Sequence, residues 1–372
     1  MLVLLTFAIA SSGDADLGGA WDLRRDERGL TWIELEYRLG DHDHNQIDFR
    51  LDESRTSGLT AILDDAGGKA GEFTILRDAG RLVCEGWFRG GRGSGQFVFI
   101  PDAGFTRGIS ARGFDAPTAE EQFQLAVGDV GFELVDELEA QGYEQPTMRQ
   151  LVRLGTHGVN LRYVRGLEAE GYRAANVDQL IRMRDHGVTP EFIRGVRDAG
   201  YTSLSSEELV RVRDHGVTPE FIRGMAAAGY EPADIETLVR ARDHGVTPEF
   251  VTGMAAAGYG GNLETLVRAR DHGVSADFAK AIAGVGLADL SFADLVRMRD
   301  HGVTPEFVRG MHEQGFPSAT AEELVRARDH GVTPDYVREL HEAGLANLTL
   351  DKVIRMRDHG ISPEFVAGMK EN

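Results

Sequence analysis

The chain has 372 residues, with 60 Asp or Glu against 40 Lys or Arg and a net charge of −20 with histidine neutral. That balance disfavours nucleic acid and anionic membranes at long range, so neither is expected as a partner. The single cysteine, Cys84, excludes an internal disulfide and leaves the compartment open.

Residues 1–17 open on "MLVLLTFAIASS", an apolar run with a cleavage-like Ala8-Ile9-Ala10. It lacks a basic leader and is shorter than a usual secretory signal, yet it reads as an export leader in preference to a first β-strand. It is too short to span a bilayer, and no other segment approaches the ~18 apolar residues required, so no membrane span is expected. The localisation that follows is periplasmic or secreted, with cytoplasmic as the alternative.

From 18 to 101 the hydrophobic period is two. "TWIELEYRL" sets Ile33, Leu35, Tyr37 and Leu39 against charged neighbours, "NQIDFRL" alternates Ile47, Phe49 and Leu51, and "GEFTILRD", "RLVCEGWF" and "GQFVFIP" continue the pattern. This predicts a small antiparallel β-domain of roughly five to seven strands, with Cys84 on the apolar phase as a buried thiol. The run "RGGRGSG" (89–95) precedes no helix pattern, so it reads as a hairpin turn and not as a phosphate-binding loop. Asp41, His42, Asp43 and His44 include metal-ligand types, but alternate strand side chains point to opposite faces, and a polar hairpin loop is the better account.

From 102 to 372 one phrase recurs. Histidines precede glycine at 157, 186, 215, 244, 272, 301, 330 and 359, a step of 29 throughout except for one of 28 between His244 and His272. A fixed period of this length marks a stacked-repeat solenoid. Each unit reads as two short helices. In the first, Thr189, Thr218 and Thr304 are caps, with proline at the first helical position and glutamate next to it. In the second, caps fall at Thr118, Thr147, Asn176, Ser205, Asp234, Asn262, Ser291, Thr320 and Thr349. Gly187, Gly216 and Gly302 end such helices in the left-handed conformation. Extending the register backwards makes Asp102 the cap of a degenerate first helix, giving ten first and nine second helices. The missing residue belongs to the loop where "GYEPADIETL" becomes "GYGGNLETL". The fold class is α+β and mainly α: the β-domain, then a solenoid of about nine helix-turn-helix repeats.

Helices of about ten residues are marginal alone, so packing must hold them. The aromatic position Phe192, Phe221, Phe250, Phe278, Phe307, Tyr336 and Phe365 shares a face with aliphatic residues and reads as a core spine. The arginines are expected to pair within helices, Arg182 with Asp185 and Arg194 with Glu191. The repeated histidine reads as punctuation, meeting free carbonyls at its own helix end. A shared metal is disfavoured because equivalent residues on neighbouring repeats should stand about 8–10 Å apart. No catalytic motif is present: His312-Glu313 and His341-Glu342 lack a second histidine, and Cys84 has no evident basic partner. Catalytic, cofactor and metal sites are therefore not expected.

"FTILRDAGRLVCEGWFRGGRGSGQFVFIPDAGF" followed by "RDHGVTPEF" repeats resembles the extracytoplasmic extension of some bacterial membrane metallopeptidases, similar to the β-lactam-sensing antirepressor family. The resemblance spans about 18 to 372 and implies a sensing or partner-binding region outside the cytoplasm. The peptidase's membrane helices and zinc motif have no counterpart here, so neither proteolysis nor antibiotic binding is implied. The leading expectation is a non-enzymatic protein- or peptide-binding scaffold. Variable residues at the end of the first helix, Arg197, His312, Glu313, His341 and Glu342, are its candidate contacts. A small-ligand- or metal-binding β-domain with the array as handle, and self-association through the solenoid end, are the alternatives.

Overall fold

The computed structural model describes residues 17–39, 43–63, 65–230 and 234–370. The leader falls almost wholly outside them, as do Asp41 and His42. The described residues fall into two compact units, one up to Ile193 and one from Arg194 onward.

The first unit begins with a seven-stranded sheet, antiparallel at every pairing, in the order β3-β2-β1-β7-β6-β5-β4. The strands are β1 Gly18–Arg25, β2 Thr31–Leu39, β3 Asp43–Arg50, β4 Thr56–Ser57, β5 Lys69–Arg77, β6 Gly80–Arg89 and β7 Arg92–Pro101. The two-residue alternation buries one face: Trp21 and Leu23 on β1, Ile33, Leu35 and Tyr37 on β2, Phe73 and Ile75 on β5, and Phe97 and Phe99 on β7. Cys84 lies on that face, fully buried, and burial pushes its thiol pKa up. The glycine run is the β6–β7 hairpin, with Gly90 and Gly91 both at positive φ (54° and 77°), as a two-residue primed turn requires.

One element inside the β-region differs from expectation. Leu59–Leu63 forms a short helix, α1, whose Leu59, Ile62 and Leu63 are buried against β5 and β6. Five residues hold too little periodicity to betray it. Asp43 and His44, expected in a loop, are the first residues of β3 opposite Leu39 and Arg38.

Ten first-type and nine second-type helices follow among the described residues, from Ala103–Ala111 to Pro363–Lys370. All nine predicted second-helix caps are in place, each side chain accepting the backbone N–H three residues on. Asp102 caps the first of the ten. The short step lies between Pro248–Ala256 and Leu263–Asp271, in the connecting loop as expected. Within each unit, helices of one type pack in series, first against first and second against second. None of these helices is long and apolar enough to cross a membrane.

The sheet and the first repeats share a core. Phe123, on the helix Ala119–Val127, is fully buried with its ring 5.0 Å from Tyr37, 5.3 Å from Phe99 and 6.2 Å from Phe97. Its buried neighbour Gln122 donates to the carbonyls of Ala79 (2.7 Å) and Asp102 (2.9 Å), satisfying two turns at once. Residue 101 thus separates types of secondary structure, while packing runs past it.

Candidate functional site

The repeat junction is built by the "RxRDHG" phrase. Thr189, Thr218 and Thr304 each accept the N–H three residues on, at 3.1–3.2 Å. Gly187, Gly216 and Gly302 have φ of 69°, 67° and 68°. At Gly216 the closure is a Schellman motif: its N–H donates to the Arg213 carbonyl (3.1 Å) and that of Val217 to the Val212 carbonyl (2.9 Å). An alanine there must adopt a disfavoured backbone, so Gly216→Ala is expected to lose about 1 kcal/mol in a denaturant melt.

The histidine does something other than cap its own helix. Its Nδ1 meets the aspartate of the next repeat: His157 with Asp185, His215 with Asp243, His244 with Asp271, His272 with Asp300, His301 with Asp329 and His330 with Asp358, all at 2.6–2.9 Å. In some repeats the first arginine of the phrase also reaches forward, Arg211 to Glu236 (2.7 Å), Arg240 to Glu264 (2.9 Å) and Arg326 to Asp351 (2.7 Å). The second arginine reaches back over the preceding repeat's aromatic ring, as Arg242 does over Phe221 (5.4 Å) and Arg328 over Phe307 (5.4 Å). The phrases at 240–245 and 326–331 therefore make ties on both sides. Intrahelical pairing of the expected kind does occur in first-type helices, as between Glu220 and Arg223 (2.8 Å).

These charged ties are more than one-third exposed, so each contributes about 0–1 kcal/mol. The arginine lid adds a ring contact worth about 0.5–1 kcal/mol at exposed sites. Changing His215 to Gln is accordingly expected to shift the melting temperature less than changing Arg242 to Ala. A His215 effect as large as that of Gly216→Ala would contradict a weak tie.

The aromatic positions are core as expected from Phe192 to Tyr336, each less than a tenth exposed. Phe365 departs from the series: it is 60 % exposed, beside Met369 at 68 %, with no arginine drawn over it among the described residues. Of the candidate contacts, His312 and Glu313 end the helix Pro305–Glu313, and His341 and Glu342 end the next first-type helix, Pro334–Glu342, which packs against it. Glu313 and Glu342 are exposed, whereas His312 is half-buried with its Nε2 buried and unbonded. Arg197 stands at the equivalent place in Pro190–Asp198, four repeats before His312, and is not brought beside the others.

A second assembly lies in the first unit and was not anticipated from sequence. A cavity of about 980 Å³ opens between the β3 edge of the sheet, the β5–β6 turn, and the junction turns near 129 and 158. Asp129 occupies the place that glycine holds at the later junctions, and it adopts φ 54°. Its Oδ1 lies 2.7 Å from Arg55 Nη1 and 3.2 Å from Arg77 Nε. The Arg77 side chain is 5 % exposed, and burial lowers its pKa against the opposing field of Asp129. A left-handed aspartate is strained but tolerated, and here the two guanidinium groups explain it. The visible signal was "GDV" standing where "HGV" recurs.

A smaller hollow of about 440 Å³ sits on the open face of the sheet beside the glycine hairpin, with Trp32 and the 57 % exposed Trp87 in its wall. Among the described residues no group of three or more His, Cys, Asp or Glu is placed to hold a metal.

Neither a family model nor a curated protein matches the chain. Any functional reading therefore rests on the residues themselves.

Proposed function

We propose that this chain is a non-enzymatic binding scaffold whose helical repeats present a variable edge to a protein or peptide partner. One observation carries the reading: the residues that recur are consumed by the junctions, as caps, turns and ties between repeats. What differs from repeat to repeat collects at the ends of first-type helices, where Glu313 and Glu342 face solvent. An array that recognises an irregular partner needs variation at exposed positions on a constant frame. The resemblance of the sheet and repeat phrases to an extracytoplasmic sensor extension supports a location outside the cytoplasm, periplasmic or secreted.

The test is affinity capture with the full chain, followed by measured binding of the captured partner to alanine variants at Arg197, His312, Glu313, His341 and Glu342. Weaker binding at an unchanged melting temperature is the expected result. Unchanged affinity across all of them would refute the variable edge as the contact surface.

A further inference from the structure

The cavity in the first unit contains more donors than it uses. Arg77 Nη1 donates to the Leu76 carbonyl (3.2 Å), whereas its buried Nε, 3.2 Å from an Asp129 oxygen, makes an ion pair there without a hydrogen bond. One oxygen of each nearby carboxylate is already engaged. Asp129 Oδ1 accepts from Arg55 Nη1 (2.7 Å), Asp52 accepts from Ser54 N (3.0 Å) and Oγ (2.6 Å), and Asp78 accepts from Phe132 N (2.9 Å). Arg162, also on the wall, forms no ion pair among the described residues. The remaining wall carboxylates, Asp48 and Glu133, belong to solvent-exposed residues and do not reach the buried guanidinium.

A guanidinium presents five N–H donors in a planar fork that fits carboxylate and phosphate oxygens. An unmet donor in a buried site is unfavourable until an acceptor arrives. The volume is that of a small-molecule site. We propose that this cavity binds a small oxyanion, a carboxylate or phosphate group, held by Arg77 with Arg162 against the Arg55–Asp129 brace.

Isothermal titration calorimetry on the full chain, with inorganic phosphate and succinate in separate runs at constant ionic strength, tests this. One saturable site per chain is expected, phosphate or succinate being preferred according to the natural ligand group. Arg162→Gln, at an exposed position, is expected to weaken binding about tenfold, as loss of a charge-assisted bond would. Arg77→Lys keeps the charge beside Asp129 but loses the fork, and is expected to weaken it at least as much. Arg338→Gln, in a surface pair with Asp335, leaves binding unchanged. If Arg77→Lys does not fold, Arg162→Gln and the wild-type titrations decide. The proposal is overturned if neither anion saturates the wild type, or if both cavity variants bind as well as the wild type; Arg77 is then only a strut.

Discussion

Replacing Phe123 with alanine is expected to destabilise the first unit by about 3–5 kcal/mol, the range for emptying a buried phenylalanine site. The ring is fully buried and makes three aromatic contacts, with Tyr37 on β2 and with Phe97 and Phe99 on β7. Those partners sit on a hydrogen-bonded sheet, which cannot collapse into the space as a flexible loop would. The loss therefore belongs at the upper part of the range. All three tryptophans, Trp21, Trp32 and Trp87, lie on the sheet, so their fluorescence during denaturant unfolding follows that region. A change below about 1 kcal/mol would mean that helix and sheet do not depend on a common core.

Local chemistry was legible in the sequence, and long-range partnership was less so. Thr118 and Ser205 announce their helices because a capping hydroxyl acts on an amide only three residues away. The hairpin at Gly90-Gly91 is as local. The purpose of the repeated histidine is not local, since its aspartate lies 28 residues on. It could have been found by asking which residue of the next repeat stands beside it. Because Asp precedes His by one position, a period of 29 brings the next Asp, 28 residues away, to the His. The cavity had no such rule. Asp129 departs visibly from the glycine series, but Arg77, at the end of β5, and Arg55, in the turn Glu53–Arg55 before β4, reach it through the tertiary fold, which no spacing encodes. The helix Leu59–Leu63 fails for another reason: it is shorter than two turns.

The middle of the first-type helix supplies the last expected result. Gly224 lies within Pro219–Ala227, where glycine is the poorer helix former, so alanine alone would improve the helix by about 1 kcal/mol. Packing opposes this gain. A Cβ at Gly224 would sit 2.6 Å from Cγ and 3.1 Å from Cβ of Pro248, at the start of the next first-type helix. The proline ring cannot rotate aside, because Pro248 opens a helix capped by Thr247. The same approach recurs at Gly166 with Pro190 (2.7 Å), Gly195 with Pro219 (2.6 Å) and Gly310 with Pro334 (2.6 Å). Overpacking of this kind costs about 1–3 kcal/mol, enough to outweigh the helix gain. Ala281 and Glu339 stand at this register before Pro305 and Pro363, which argues for a net loss of about 1 kcal/mol and against complete unfolding. The partner substitution isolates the cause. Pro248→Ala removes Cγ, so Gly224→Ala should be less harmful in that background, and a double-mutant cycle on melting free energies measures the difference. If Gly224→Ala raises stability in the otherwise unchanged chain, helix propensity wins and the glycine is not there for close approach.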